Sequence, residues 1–106
     1  MIVTSSSHIA GKKIIKTIGL VKGNTVRARH IGKDILAVLK NIVGGEIQEY
    51  TKLLAEAREQ SLDRMVAEAE KLGANAVVDV RFTTSYIMAN VAELLVFGTA
   101  VVIQDE

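Results

Sequence analysis

From Leu94 to Ile103 the chain is apolar on both faces of a β-strand. Leu95, Phe97, Val101 and Ile103 fall on one side, and Leu94, Val96, Ala100 and Val102 on the other. Side chains of a strand alternate between faces, so this strand needs cover above and below. A single helix layer covers only one face of a sheet. A chain of 106 residues forms one domain with little material for a second layer, and at that size about two-thirds of the unfolded surface is buried. The second face is therefore expected to meet a neighbouring subunit. A hydrophobic content of 49% and a mean hydropathy of +0.28 agree with such an excess.

The other elements follow from their periods. Ile2-Val3-Thr4 is β-prone and runs into the hydroxyl segment Thr4 to Ser7. Ile14 to Ala28 is β-rich but interrupted by Gly19 and Gly23-Asn24, which predicts either one bent strand with bulges or two strands joined by a turn at Lys22 to Thr25. From Lys33 the period becomes helical, with Ile35, Leu36, Leu39, Ile42 and Val43 on one face. Gly44-Gly45 ends that helix. A longer one is predicted from Glu46 to Leu72, with the stripe Ile47, Tyr50, Leu54, Ala57, Ser61, Met65, Ala69 and Leu72 and with Gly73 just past its end. At 1.5 Å per residue it would reach roughly 40 Å, long enough to cross a subunit boundary. Ala76, Val78, Val80 and Phe82 then alternate with Val77, Asp79, Arg81 and Thr83, the mark of a strand with one buried face. These elements make a single α+β domain over residues 1–106.

Several classes of chemistry are excluded or disfavoured. There is no Cys, which removes disulfides, thiolate metal sites and cysteine nucleophiles. The N-terminus has no basic stretch leading into an apolar run, and Leu94 to Ile103 is about half of the ~20 residues a spanning helix needs, so a cytoplasmic location is expected. The hydroxyls Thr4 to Ser7 lie in no Gly-x-Ser-x-Gly turn. Gly44-Gly45-Glu46 at a helix start could present free N–H groups to an anion, but Glu46 already supplies the negative charge that such a helix end attracts. No catalytic residue is assigned.

Charge divides the chain. Residues 1–45 carry eight basic groups and one acid, a net of +7, whereas residues 46–106 carry five basic and eleven acidic groups, a net of −6. The basic residues are scattered among strand positions with no aromatic among them, so mutual neutralisation within or between subunits is expected rather than nucleic-acid binding. Head-to-tail contacts in a ring would use this asymmetry, because they join two different surfaces of one chain.

Gly19-x-Val21-x-Gly23 with Val26-Arg27, Gly44-Gly45-Glu46 with Tyr50 and Leu53, Ala57-Arg58, Arg64-Met65, Leu72-Gly73-Ala74-Asn75-Ala76-Val77, Arg81-Phe82 and Gly98-Thr99-Ala100-Val101 resemble the YbjQ family over essentially the whole chain. These are small bacterial and archaeal proteins whose domain carries a heavy-metal-binding label. The resemblance implies a dodecin-like β-α-β-β two-layer core with additional short strands, assembled as a ring-shaped homopentamer, and implies no established activity. Phe97 stands where many relatives have Tyr, and Thr83 where an acidic residue is common.

The label meets a chemical obstacle, since thiophilic metals select thiolates and the chain has none. A divalent ion could still bind at a symmetry axis, where each subunit gives one ligand; His8, Asp34, Glu46 and Asp79 are the candidates. A small molecule held at subunit interfaces is the alternative, and Tyr50, Arg58 and Arg64, a phenol and two guanidiniums near one helix, are the candidates for binding an anionic one.

Overall fold

The computed structural model describes residues 1–28, 45–88 and 91–106. In chain order they form β1 (Ile2–Val3), β2 (Lys12–Ala28), α1 (Gly45–Lys71), β3 (Ala76–Met88) and β4 (Val91–Asp105). The sheet order is β1-β3-β4-β2, with β1 parallel to β3 and the other pairs antiparallel. Among the described residues this is an α+β domain with one helix on one face of a four-stranded mixed sheet. The helix expected from Lys33 to Val43 lies outside the described residues.

Of the two readings of Ile14 to Ala28, the structure takes the bent strand. Register shifts fall between Ile14 and Lys16 and between Thr17 and Gly19, where Gly19 has φ 141. Gly23 is part of no turn. It is where the helix rests on the sheet: a Cβ there would lie 2.0 Å from the Ser61 carbonyl oxygen and 2.5 Å from the Met65 nitrogen. Only a residue without a side chain allows so close an approach.

The helix buries Ala57, Ser61, Met65 and Ala69, as its stripe predicts, and leaves Leu54 half-buried. Leu72 departs from the prediction and is 52% exposed, because the helix has already ended. Gly73 (φ 89) donates to the Glu70 carbonyl at 3.0 Å, and Ala74 donates to the Ala69 carbonyl at 3.0 Å. That pair of bonds is a Schellman closure. Beyond it Asn75 clamps the sheet: its Nδ2 donates to the Ile103 carbonyl at 2.9 Å, and its Oδ1 accepts from the Ile103 N–H at 2.7 Å.

The alternation predicted for β3 fails at one residue. Val77 and Val80 share the cluster under the helix with Val21, Met65, Val96 and Ala100, whereas Ala76 and Val78 belong to a cluster on the other face with Val101 and Ile103. A register shift between Val78 and Arg81, with Asp79 at φ 55, moves the strand by one residue and swaps its faces. Phe82 consequently lies beside the helix edge and is 52% exposed.

The two-faced strand β4 is treated unevenly. Leu94, Val96 and Ala100 are buried under the helix, and Val101 and Ile103 are buried on the opposite face, where Ile9 packs over them. One end of the second face is thus covered within the chain, which corrects the expectation that this face depends wholly on a neighbour. Among the described residues the remainder is less covered: Leu95 and Phe97, paired with Asn24 and Lys22 of β2, are half-buried, and elsewhere on β2 Leu20 is 69% and Val26 51% exposed. The radius of gyration, 17.5 Å, exceeds the roughly 13 Å of a compact domain of this length.

Candidate functional site

The segment after β1 brings two of the expected metal ligands to one end of the sheet. Thr4 donates to the Val77 carbonyl, Val80 to the Thr4 carbonyl and Asp79 to the Ser6 carbonyl, at 3.0 to 3.1 Å. The bonds pin residues 4–6 along the bulge, with His8 two residues further on. Asp79 is half-buried; His8 is exposed, its Nδ1 3.2 Å from Ser7 Oγ. Among the described residues, however, no three His, Cys, Asp or Glu side chains converge on a point where a metal ion could sit. Asp34 lies outside the described residues. Glu46 opens the first turn of α1 and Tyr50 follows one turn later, with side chains outside the described set.

The two expected arginines are not gathered. Residues six apart on a helix point roughly 120° apart around its axis. Arg64 accordingly leans over β2, where its Nη1 donates to the Asn24 carbonyl, while Arg58 lies on the β3 side, its Nε donating to the Leu54 carbonyl at 3.4 Å.

That β3 side carries a groove which sequence reading did not find. One cavity of about 430 Å³ is lined by Val3, Thr4, Ser5, Leu62, Val80, Arg81 and Phe82. A second of about 370 Å³ is lined by Ala55, Arg58, Glu59, Leu62 and Phe82. Sharing Leu62 and Phe82, they form one trough between the helix and the outer edge of β3. Arg81 is fixed in its lining, with Nη1 donating to the Ser5 and Val80 carbonyls at 2.9 Å. The trough depends on the Asp79 bulge, which turns Phe82 outward; Asp is a residue type that tolerates positive φ, but it stands in a regular alternation that does not mark a bulge. The only hint in the sequence was an Arg-Phe pair in a chain with four aromatics.

The other edge of the sheet holds an exposed ion pair. Lys12 Nζ donates to Asp105 Oδ1, across the first pair of residues in the β2–β4 ladder. The hydrogen bond first, and the ammonium charge second, hold the Asp105 carboxyl below its usual range. Among the described residues it is the single ion pair within 4 Å, so Arg58 and Arg81 face no carboxylate at that distance.

A heavy, thiophilic ion does not suit these residues. The chain has no Cys, and the Met65 thioether is sealed in the core at 0% exposure. Apart from the exposed Met1 thioether, a lone soft donor, what the described residues offer is scattered nitrogen and oxygen, the donors of borderline or hard divalent ions. No helix of the described residues is long and apolar enough to cross a membrane.

Known proteins resemble this chain closely. The model of the YbjQ family, described as "Putative heavy-metal-binding", matches residues 1–104. A UPF0145 protein of Dehalococcoides mccartyi is 59% identical over 104 residues, covering 98% of this chain and all of that one. One from Methanosarcina acetivorans is 54% identical over 105 residues, covering 99% of both chains. Among solved structures, a protein of unknown function of the DUF74 family from Pediococcus pentosaceus superposes with a TM-score of 0.67, covering 98% of each chain at 12% identity. That likeness concerns the fold alone.

Proposed function

Since the chain belongs to the YbjQ family, we propose that it works as a cytoplasmic homo-oligomer, a dodecin-like ring of about five copies, which binds a ligand where copies meet, with no catalytic role assigned to it. The open part of the second sheet face carries this reading. Leu20 and Val26 are exposed there and Leu95 and Phe97 half-buried, set among Lys22, Asn24, Arg81 and Thr83, and such a mixture of large apolar and polar side chains is the composition of a subunit interface. Two further features support it. Among the described residues no strand pairs with the outer edge of β3 beyond Val80, nor with that of β2, where the helix side chains Glu68 and Arg64 take the Lys22 N–H and the Asn24 carbonyl; edges without a strand partner invite strand pairing. β2 exposes Lys13, Lys16 and Lys22, whereas the helix exposes the acids Glu56, Glu59, Asp63 and Glu70 interspersed with the bases Lys52, Arg58, Arg64 and Lys71, so a basic strand and a mixed helix give the two unlike surfaces of a head-to-tail contact.

A divalent ion in such an assembly would be shared, with each copy giving single ligands such as His8, Asp34, Glu46 or Asp79. Elemental analysis of the purified oligomer, before and after exposure to zinc, nickel or copper and then gel filtration, tests this. At least one retained ion per oligomer supports a shared site, and less than one under all conditions removes it.

A second reading is favoured by the Leu62–Phe82 groove: an assembly that binds a small organic molecule. Its two cavities are each of the size range of small-molecule pockets, about 300–1,000 Å³. Mass spectrometry of a denatured extract of the purified protein checks it directly, and a stoichiometric organic species is the expected result.

A further inference from the structure

The groove between α1 and the outer edge of β3 combines two chemistries. Its floor is apolar: Val80 is buried, Leu62 half-buried, and Phe82 turns half its surface to solvent. Arg58 lines one cavity and Arg81 the other. Each is anchored by one nitrogen to a backbone carbonyl, Leu54 for Arg58 and Ser5 for Arg81, which aims the group and leaves further N–H donors free. Neither faces a carboxylate within 4 Å among the described residues. Glu59 shares the cavity with Arg58 and opposes an anion there, so a ligand with one negative charge suits the groove better than one with several.

We propose that this groove binds a small amphipathic monoanion, an apolar body lying on Leu62 and Phe82 with a single carboxylate held by Arg58. Apolar contact alone would accept cations and neutral molecules equally. The Arg58 guanidinium gives the selectivity, because charge-assisted hydrogen bonds to a carboxylate are about twice as strong as neutral ones. The proposal rests on the second reading above and gives its ligand a chemical class.

Titration of the full-length protein with decanoate, with decylammonium as the matched cation, tests it by calorimetry and by amide chemical-shift mapping. Decanoate is expected to bind once per chain, with shifts centred on Arg58, Leu62 and Phe82, and decylammonium to bind more weakly. Arg58→Gln is expected to weaken decanoate about tenfold, and Glu59→Gln to tighten it about threefold. Both residues are exposed on the helix, so both variants should fold. Equal binding of the cation, shifts mapping elsewhere, or affinities unmoved by both substitutions would overturn the proposal. Native mass spectrometry of the same samples separates the two ideas: a ring that ignores decanoate sinks only this one, and a monomer that binds it sinks only the ring.

Discussion

Ser61 Oγ lies 2.8 Å from Thr25 Oγ1, with Ser61 wholly buried and Thr25 only 4% exposed. The contact stands beside the point where the helix backbone rests on Gly23. Ser61 Oγ is also 2.9 Å from the Ala57 carbonyl and 3.1 Å from the Leu94 carbonyl. A serine hydroxyl has one proton, so Ser61 donates to one carbonyl and accepts from Thr25. The fully buried part of the helix stripe, otherwise Ala57, Met65 and Ala69, thereby gains one polar contact between α1 and β2, set against the Leu94 carbonyl of β4.

Removing the hydroxyl leaves buried partners unsatisfied. Ser61→Ala is expected to cost about 1–3 kcal/mol in urea unfolding. A double-mutant cycle with Thr25→Val should show coupling of at least about 0.5 kcal/mol; additive losses would mean that the two hydroxyls do not act together.

Gly23→Ala tests the closeness of the helix. A methyl group 2.0 Å from a backbone oxygen fits only if the helix lifts, and overpacking of this kind costs about 1–3 kcal/mol. A melting temperature equal to that of the parent would contradict the packing described for β2 and α1.

Asp79 occupies the left-handed region at φ 55, which Asn, Asp and Gly tolerate and β-branched residues do not. Asp79→Asn should be nearly neutral, whereas Asp79→Val should lose about 1–2 kcal/mol. The second variant should also change the surroundings of Phe82, visible as shifted ring resonances.

The Lys12–Asp105 pair predicts a small acid effect. Because the Asp105 carboxyl is held below its usual value, the folded state takes up that proton later than the unfolded state does. Its contribution is complete above the unfolded-state pKa and is lost as the pH falls through the folded value. Asp105 is largely exposed, which lets salt screen it. Asp105→Asn should therefore flatten stability against pH in the acid range at low salt and change little at high salt, as followed by thermal melts.

Much of this architecture could be read from periodicity. The stripe from Ala57 to Ala69 placed the helix, Gly73 marked its end, and the two-faced run from Leu94 to Ile103 identified the strand that needs cover twice. Contacts between distant segments were not legible. Gly23 looked like a turn residue because its need for close approach comes from Ser61 and Met65. The Asp79 bulge is braced by Ser6 from the start of the chain, so the alternation in β3 reads smoothly through a place where the faces exchange. The groove at Phe82 was hidden for the same reason. Of the expected site residues, Arg58 and Arg64 were grouped because they share a helix, but six residues put them on different flanks, and Asn24 and Leu54 show which.

The central claim is that the uncovered apolar face and free strand edges belong to an assembly. Sedimentation equilibrium of the full-length protein at micromolar concentration tests it most directly. A single species of several copies, close to five, is the predicted result; a stable monomer would contradict the account.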